Sequence, residues 1–413
     1  DAAIAPLSII NDELAVLELW HGPTYAFKDM ALQLLPWLLI KSAKKTGDKA
    51  NYVILVATSG DTGKAALEGF KDVSKTKILV FYPNQGVSEV QRLQMITQEG
   101  SNVGVVAVEG NFDDTQNGVK DIFNDQKFKA YVGEKGYKLS SANSINWGRL
   151  VPQIVYYISA YLDLVKFKKI TLGTEINFVV PTGNFGNILA GFYAKKMGLP
   201  INKLVCASNQ NNVLTDFVRE GIYDRNRPFY RTISPSMDIL ISSNLERLLF
   251  ELSGGRAKAV ATWMKELQVT GRYTIDQEVK KQVAKHFWSQ FSTDVETKEK
   301  IKNVFETYQY LIDTHTAVAW DVYEKYRQET NDNHTTIIIS TASPFKFNTS
   351  VSEAIFGEAI LAGKTELEML KILAEKTGQI IPPGLKNLVN KEVRHNQVCN
   401  KEQMAKIVAQ FLA

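Results

Sequence analysis

The feature that most limits what this chain can fold into is an alternation of short apolar runs with amphipathic stretches, beginning at Tyr52. The runs are 52–57, 78–82, 103–108, 176–180, 204–207 and 336–339. They read as mostly buried strands. Between them lie stretches of helical spacing: 88–98 closed by Gly100, 150–164, and 188–197 closed by Gly198. Such alternation predicts an α/β fold with parallel sheets. The strands fall into two groups, about 50–140 and after 170, which predicts two α/β domains built on two open twisted sheets flanked by helices. Residues 240–330 read as a largely helical insertion, with Leu245, Leu248, Leu249 and Leu252 on one face. Ligands of open α/β sheets sit at the carboxyl ends of strands, so the loops after Ala57 and Val180 carry the most functional weight.

Composition narrows the function classes. With 413 residues, 45% hydrophobic and 22% charged, the chain has core enough for two or three domains and no sign of disorder. A net charge of +4 without basic runs suits an anionic small molecule and sets nucleic acid aside. Cys206 and Cys399 cannot form a disulfide framework and fit a reducing compartment, so a cytoplasmic location is expected. The longest apolar block, 31–40, is too short to span a bilayer and is broken by Gln33 and Pro36. It also lacks a basic n-region, so neither a signal peptide nor a transmembrane helix is expected. His21, His286, His315, His334 and His395 show no metal-ligand spacing, and no catalytic metal is predicted. Chemistry-bearing residues start almost at residue 1, and a further N-terminal segment is expected upstream.

The run Leu17-Glu-Leu-Trp-His-Gly-Pro-Thr-Tyr-Ala-Phe-Lys-Asp-Met30 places a lysine at the start of an apolar helix. Gly22-Pro23 signals a turn and Thr24 is the expected N-cap, so Phe27, Met30, Ala31, Leu34, Leu35 and Leu38 form a helix with Lys28 near its positive end. The macrodipole and partial burial both disfavour an ammonium there and favour a neutral, nucleophilic amine suited to Schiff-base chemistry. The alternative is a lysine snorkelling from a core helix.

Four further loops suit anions or a ring nitrogen. Pro181-Thr-Gly-Asn-Phe-Gly-Asn187 joins a strand to a helix and offers close backbone approach with unpaired N–H groups, as a phosphate requires. Its spacing matches neither the dinucleotide fingerprint nor the P-loop, and a plain strand-to-helix turn is the alternative. Thr58-Ser-Gly-Asp-Thr-Gly63 also opens a helix and suits a carboxylate, although Ser59 and Thr62 could only cap that helix. Ser141-Ala-Asn-Ser-Ile-Asn-Trp-Gly-Arg149 ends on an arginine able to clamp a phosphate or carboxylate. Finally, Ile337-Ile-Ile-Ser-Thr-Ala-Ser-Pro344 puts a hydroxyl at the end of a central strand, where it could face a ring nitrogen; a strand-ending turn is the alternative.

Taken together, these motifs closely resemble the threonine synthase family, specifically its longer branch, and the resemblance covers most of the chain. It implies a fold-type II, tryptophan synthase β-like architecture that uses pyridoxal 5′-phosphate. A large cofactor-binding domain at 1–47 and 141–413 and a small α/β domain at 48–140 are expected. By resemblance, Lys28 would carry the cofactor and then shuttle protons. Gly183, Asn184, Phe185, Gly186 and Asn187 would cradle its phosphate, Thr341 would face its ring nitrogen, and Asp61 would lie beside its 3′-oxygen. Thr58, Ser59, Gly60 and Thr62 would bind the substrate carboxylate, and Asn143, Ser144, Asn146 and Arg149 the substrate phosphate. The implied reaction converts O-phospho-L-homoserine and water to L-threonine and phosphate, in a monomer or homodimer. A phospho-lyase releasing 2-oxobutyrate, ammonia and phosphate shares the same motifs. A non-catalytic binding protein of this fold is disfavoured by the intact Lys28 and Arg149. The chain departs from the family at Ser343 and Phe345, which replace the His and Ala of His-Pro-Ala-Lys-Phe, and at Thr314, which replaces the proline of Asp-Pro-His-Thr. Asp61 replaces the asparagine usual in the wider fold group, and a carboxylate there needs a shared proton or a cationic neighbour.

Overall fold

The computed structural model describes residues 4–58, 60–85 and 87–413. Two compact units form: one from the residues up to His21 with Gln153–Lys364, the other from Gly22–Pro152 with Thr365–Ala413.

The first unit is built on a six-stranded sheet in the order Leu7–Ile9, Leu14–Glu18, Thr336–Ser340, Ile176–Pro181, Ile201–Ser208, Phe287–Phe291. Leu7–Ile9 is antiparallel to its neighbour, and every other pairing is parallel. Thr336–Ser340 runs through the middle, with Ile339 opposite Leu17 and Ile338 opposite Val179. Its three isoleucines are fully buried, which is why the run reads as continuous rather than alternating.

The second unit has a five-stranded, all-parallel sheet in the order Gln397–Cys399, Val103–Val108, Thr76–Pro83, Asn51–Ala57, Tyr137–Ser140. Its two faces fill by the strand period of two. Ile54, Val56, Ile78 and Val80 pack with Leu32, Leu35, Leu67 and Phe70. Val53, Leu55, Leu79 and Phe81 pack with Val119, Ile122, Met404 and Val408 on the opposite face. The helices Lys28–Thr46 and Asp61–Phe70 cross closely at Gly69, where an added Cβ would fall 2.1 Å from the carbonyl oxygen of Leu32. Only glycine fits that crossing, which packs the end of the Asp61 helix against the first turns of the Lys28 helix.

Several expectations need correction. The expected domain boundaries are not where the units divide: the Lys28 helix joins the five-stranded sheet through Leu32 and Leu35, and residues 365–413 join it through Met404 and Val408. The segment 240–330 is largely helical, as expected, but it also contributes Phe287–Phe291 as an edge strand of the six-stranded sheet and Arg272–Thr274, which pairs with Ile222–Asp224. The helix expected at 150–164 is broken into Trp147–Leu150, a 3-10 turn at Val151–Gln153, and Ile154–Lys166, because Pro152 has no N–H to continue the ladder. Thr24 is not the N-cap of the Lys28 helix; Phe27 holds that position without a side-chain cap bond. Instead the Asp29 carboxylate reaches back, bonding the Thr24 hydroxyl and accepting the Thr24 N–H (2.9 Å).

Candidate active site

In the five-stranded unit, Lys28 opens its helix and is buried. Its Nζ lies 3.4 Å from Oδ2 of Asp61, the first residue of the helix that follows Ala57. Thus the cationic neighbour that Asp61 requires is Lys28 itself. The two charges are not equivalent, because a carboxylate is favoured at the positive end of a helix and an ammonium is not. The other Asp61 oxygen, Oδ1, accepts a 2.8 Å hydrogen bond from the side-chain amide of Gln91.

The turn before Asp61 is held by Thr58, whose hydroxyl oxygen accepts from the N–H groups of Gly60 (3.0 Å) and Gly63 (2.9 Å). The cap of this helix is therefore supplied by Thr58, where the sequence pointed to Ser59 or Thr62, and the two N–H groups are committed to it. Thr58 keeps one hydroxyl proton to donate. Thr62 is half-buried and Gly60 buried; Ser59 lies outside the described residues.

The Ser141–Arg149 loop belongs to the same unit and folds on itself. Asn146 caps the short helix by accepting from the Gly148 N–H (3.0 Å), while its amide donates to the Ser141 carbonyl (2.9 Å). Asn143 and Ser144 are half-buried in this turn. Arg149 is buried and donates to the Ala142 carbonyl (2.9 Å). Burial pulls its guanidinium down to about 10, so it is a full cation at neutral pH.

The six-stranded unit carries the other predicted residues. Phe185 sits at φ 62° immediately before the helix Gly186–Lys196. Among the described residues, none accepts from the backbone N–H of Gly183, Asn184 or Phe185. The loop's carbonyls are occupied instead. Ser242 Oγ donates to the Gly183 carbonyl (3.0 Å), and the Asn244 side-chain amide donates to that of Asn184 (3.0 Å). Ser243 Oγ bonds Oδ1 of Asn184 (3.1 Å). A Cβ on Gly183 would fall 3.1 Å from both Ser236 O and Met237 Cα, so this strap of residues 236–244 lies directly against the loop. The strap is itself tied down where the Ser236 N–H donates to His315 Nε2 (3.2 Å) and His315 Nδ1 meets Asp313 (2.7 Å). Asn187 accepts from the Tyr157 hydroxyl, which leaves its Nδ2 buried without a partner among the described residues.

Thr341 follows the central strand and is buried. Among the described residues no group bonds its hydroxyl, whereas the neighbouring Ser340 is engaged by Trp20 Nε1 (3.0 Å) and Thr316 Oγ1 (2.9 Å). Of the two hydroxyls, Thr341 is the one left for a ligand.

These residues fit pyridoxal phosphate. Unpartnered N–H groups at Gly183–Phe185 and the orphaned Asn187 amide suit a phosphate. The Thr341 hydroxyl suits a ring nitrogen, and the Lys28 amine suits a carbonyl carbon. Sequence reasoning missed Gln91, the strap Ser242–Asn244, Tyr157 and the His315 tie. A glutamine in a helix and serines in a loop carry no periodic signal, and the strap lies far along the chain from the loop it holds.

The chain matches the family described as pyridoxal-phosphate dependent enzyme over residues 7–276, and the threonine synthase C-terminal family over residues 316–410. It is 43% identical over 359 residues to threonine synthase-like 1 of Homo sapiens, covering 85% of this chain and 48% of that protein. This chain thus spans about half the length of that relative. Against threonine synthase of Pseudomonas aeruginosa it is 43% identical over 357 residues, covering 86% of this chain and 73% of the relative. The crystal structure of pyridoxal-phosphate-bound threonine synthase from Brucella melitensis superposes with a TM-score of 0.85 at 38% identity, covering 100% of this chain and 80% of that one. Similarity of this extent in both sequence and fold leaves one conclusion: the chain belongs to the threonine synthase family of pyridoxal-phosphate dependent enzymes.

Proposed function

We propose that this chain is a threonine synthase, converting O-phospho-L-homoserine and water to L-threonine and phosphate by β,γ-elimination and β-hydration. The observation that carries the reading is the buried Lys28–Asp61 pair at two adjoining helix starts, in a unit that also buries Arg149. When bound, pyridoxal phosphate supplies a ring system that stabilises negative charge on the carbon bearing the substrate amino group. Lys28 carries the cofactor and, once displaced by the substrate amine, removes the proton from Cα as a neutral base. Asp61 then faces the ammonium so formed. The N–H groups of Gly183–Phe185, with Gly186 and Asn187, hold the cofactor phosphate. Thr341 offers the ring nitrogen a neutral hydroxyl, which leaves that nitrogen essentially unprotonated.

Thr58, through its one remaining proton, Ser59 and Thr62 orient the substrate carboxylate, while Gly60, its N–H committed to Thr58, shapes the turn that presents them. Asn143, Ser144 and Asn146 hold the substrate phosphate with Arg149, whose planar fork suits a bidentate grip. With the phosphate so held, loss of a β-proton would let phosphate leave from Cγ, water would add at Cβ, and return of protons to Cγ and Cα would complete threonine. Within the described residues no helix is long and apolar enough to cross a membrane, and both cysteines are free. These features support a cytoplasmic enzyme of threonine biosynthesis, acting as a monomer or homodimer.

The test is incubation of the chain, loaded with pyridoxal phosphate, with O-phospho-L-homoserine while phosphate, threonine and 2-oxobutyrate are assayed together. Equal phosphate and threonine are expected. Phosphate with 2-oxobutyrate and ammonia would make it the phospho-lyase, and no phosphate would reject both.

A further inference from the structure

The Lys28–Asp61 contact is long for a hydrogen bond, at 3.4 Å, and does not by itself fix which carboxylate oxygen faces the amine. The shorter bond is the one from Gln91 Nε2 to Asp61 Oδ1, at 2.8 Å between two buried side chains. A charge-assisted bond of this kind is about twice as strong as a neutral one.

The backbone is shaped around this amide. Gly60 adopts φ +135°, a conformation that side chains rarely take, and a Cβ there would fall 2.5 Å from Gln91 Cδ. Gln91 lies in the first turn of the helix Glu89–Ile96, where Ser88 accepts its N–H (3.2 Å). That helix start is gripped from the C-terminal arm. Glu366 accepts the Glu89 N–H at 2.6 Å. The other carboxylate of the lysine turn, Asp29, is committed to Thr24. A continuous set of contacts therefore runs from Glu366 through the helix start and Gln91 to Asp61 and Lys28.

We propose that Gln91 is a positioning residue: its amide pins one oxygen of Asp61 and thereby aims the other at Lys28, while Glu366 holds the helix that presents it. The proposal rests on the reading that Lys28 carries the cofactor. Gln91 touches neither Lys28 nor any reacting atom in this scheme; it acts through Asp61.

The test uses the full chain loaded with pyridoxal phosphate and the variants Gln91→Leu, Gln91→Met, Asp61→Asn and Gln91→Leu/Asp61→Asn. The readouts are the pH titration of the bound cofactor's visible absorbance, kcat and KM. Gln91→Leu is expected to move the titration midpoint down by about half to one pH unit, because the cation at Lys28 loses a fixed counter-charge. It is expected to lower kcat about tenfold and leave KM within about twofold. Gln91→Met, which keeps a similar length and removes the donor without adding charge, shifts the midpoint the same way and covers the case in which the leucine variant fails to fold. In the Asp61→Asn background, Gln91→Leu adds no further shift. A wild-type titration in both Gln91 variants, or a shift that persists undiminished without the Asp61 carboxylate, overturns the proposal. Failure of the underlying reading shows separately, as an unchanged absorbance band in Lys28→Ala.

Discussion

The two units present their expected site residues by different physical means. The unit of Gly22–Pro152 offers side chains: an amine and a carboxylate, whose charges depend on each other, and a neutral amide, all buried. The unit carrying Gly183 offers backbone: N–H groups just before a helix start that have no partner among the described residues, beside carbonyls occupied by a strap of serine and asparagine side chains. Side-chain chemistry is titratable and can move a proton, whereas backbone donors cannot titrate and so hold a permanent anion without responding to it. The difference teaches that the first region is built to react and the second to hold.

The largest effect expected from this contrast is at Lys28. Lys28→Ala removes the attachment and the base together, so turnover should fall by about a thousandfold or more and the lysine-linked absorbance should vanish. Asp61→Asn keeps the shape but removes the charge. A loss in kcat of roughly a hundredfold with a displaced absorbance titration is expected, measured by steady-state kinetics and spectrophotometry. Arg149→Ala should raise KM for O-phospho-L-homoserine by about two orders of magnitude while cofactor absorbance is retained. Loss of the cofactor instead would show that the two anion sites had been exchanged.

The holding region should respond more gently. Ser242→Ala frees the Gly183 carbonyl, and Asn244→Ala removes one of the two bonds to the Asn184 carbonyl, the other coming from the Asn244 N–H (3.2 Å); each should weaken pyridoxal phosphate binding about five- to tenfold, corresponding to about 1 kcal/mol per hydrogen bond. Equilibrium titration of the apo chain measures this. The position of the absorbance band should not move, because no charge beside Lys28 has changed. A displaced band would erase the distinction between the two regions.

How much of this was legible in the sequence follows from the same contrast. The strand Val103–Val108 was read with its observed bounds because every residue in it is buried and apolar or glycine. Phe287–Phe291 was missed because it directly follows a charged helix and mixes serine and glutamine into a short edge strand. Tyr137–Ser140 and Gln397–Cys399 are shorter still and only partly buried. In the site, Lys28, Arg149 and the glycine loop announce themselves because their residue types are costly or unusual where they stand. Gln91, Ser242 and Asn244 do not, since their value arises from a partner distant in sequence. Thr24 was misread as a cap because the preference of threonine for that position is real, but Asp29 takes up its hydroxyl and N–H first.

The smallest predicted effect concerns acid stability. Burial alone would raise the Glu18 carboxyl, but hydrogen bonds from His21, Tyr310 and Ser8 outweigh it and hold it below its ordinary 4.5. Its stabilising contribution is thus present above pH 4.5 and is lost as pH falls through the lowered value. Glu18→Gln should lower Tm at neutral pH by about 2–4 °C and flatten the acid limb of a thermal-melt series. An unchanged acid limb would show that the carboxylate does not act as described.

The most direct test of the account is to load the chain with pyridoxal phosphate, reduce it with borohydride to fix the cofactor covalently, and map the labelled peptide by mass spectrometry. The account predicts the label on Lys28 alone, and its absence from every lysine in Lys28→Ala. A label on any other lysine of the native chain, or undiminished labelling in Lys28→Ala, would contradict it.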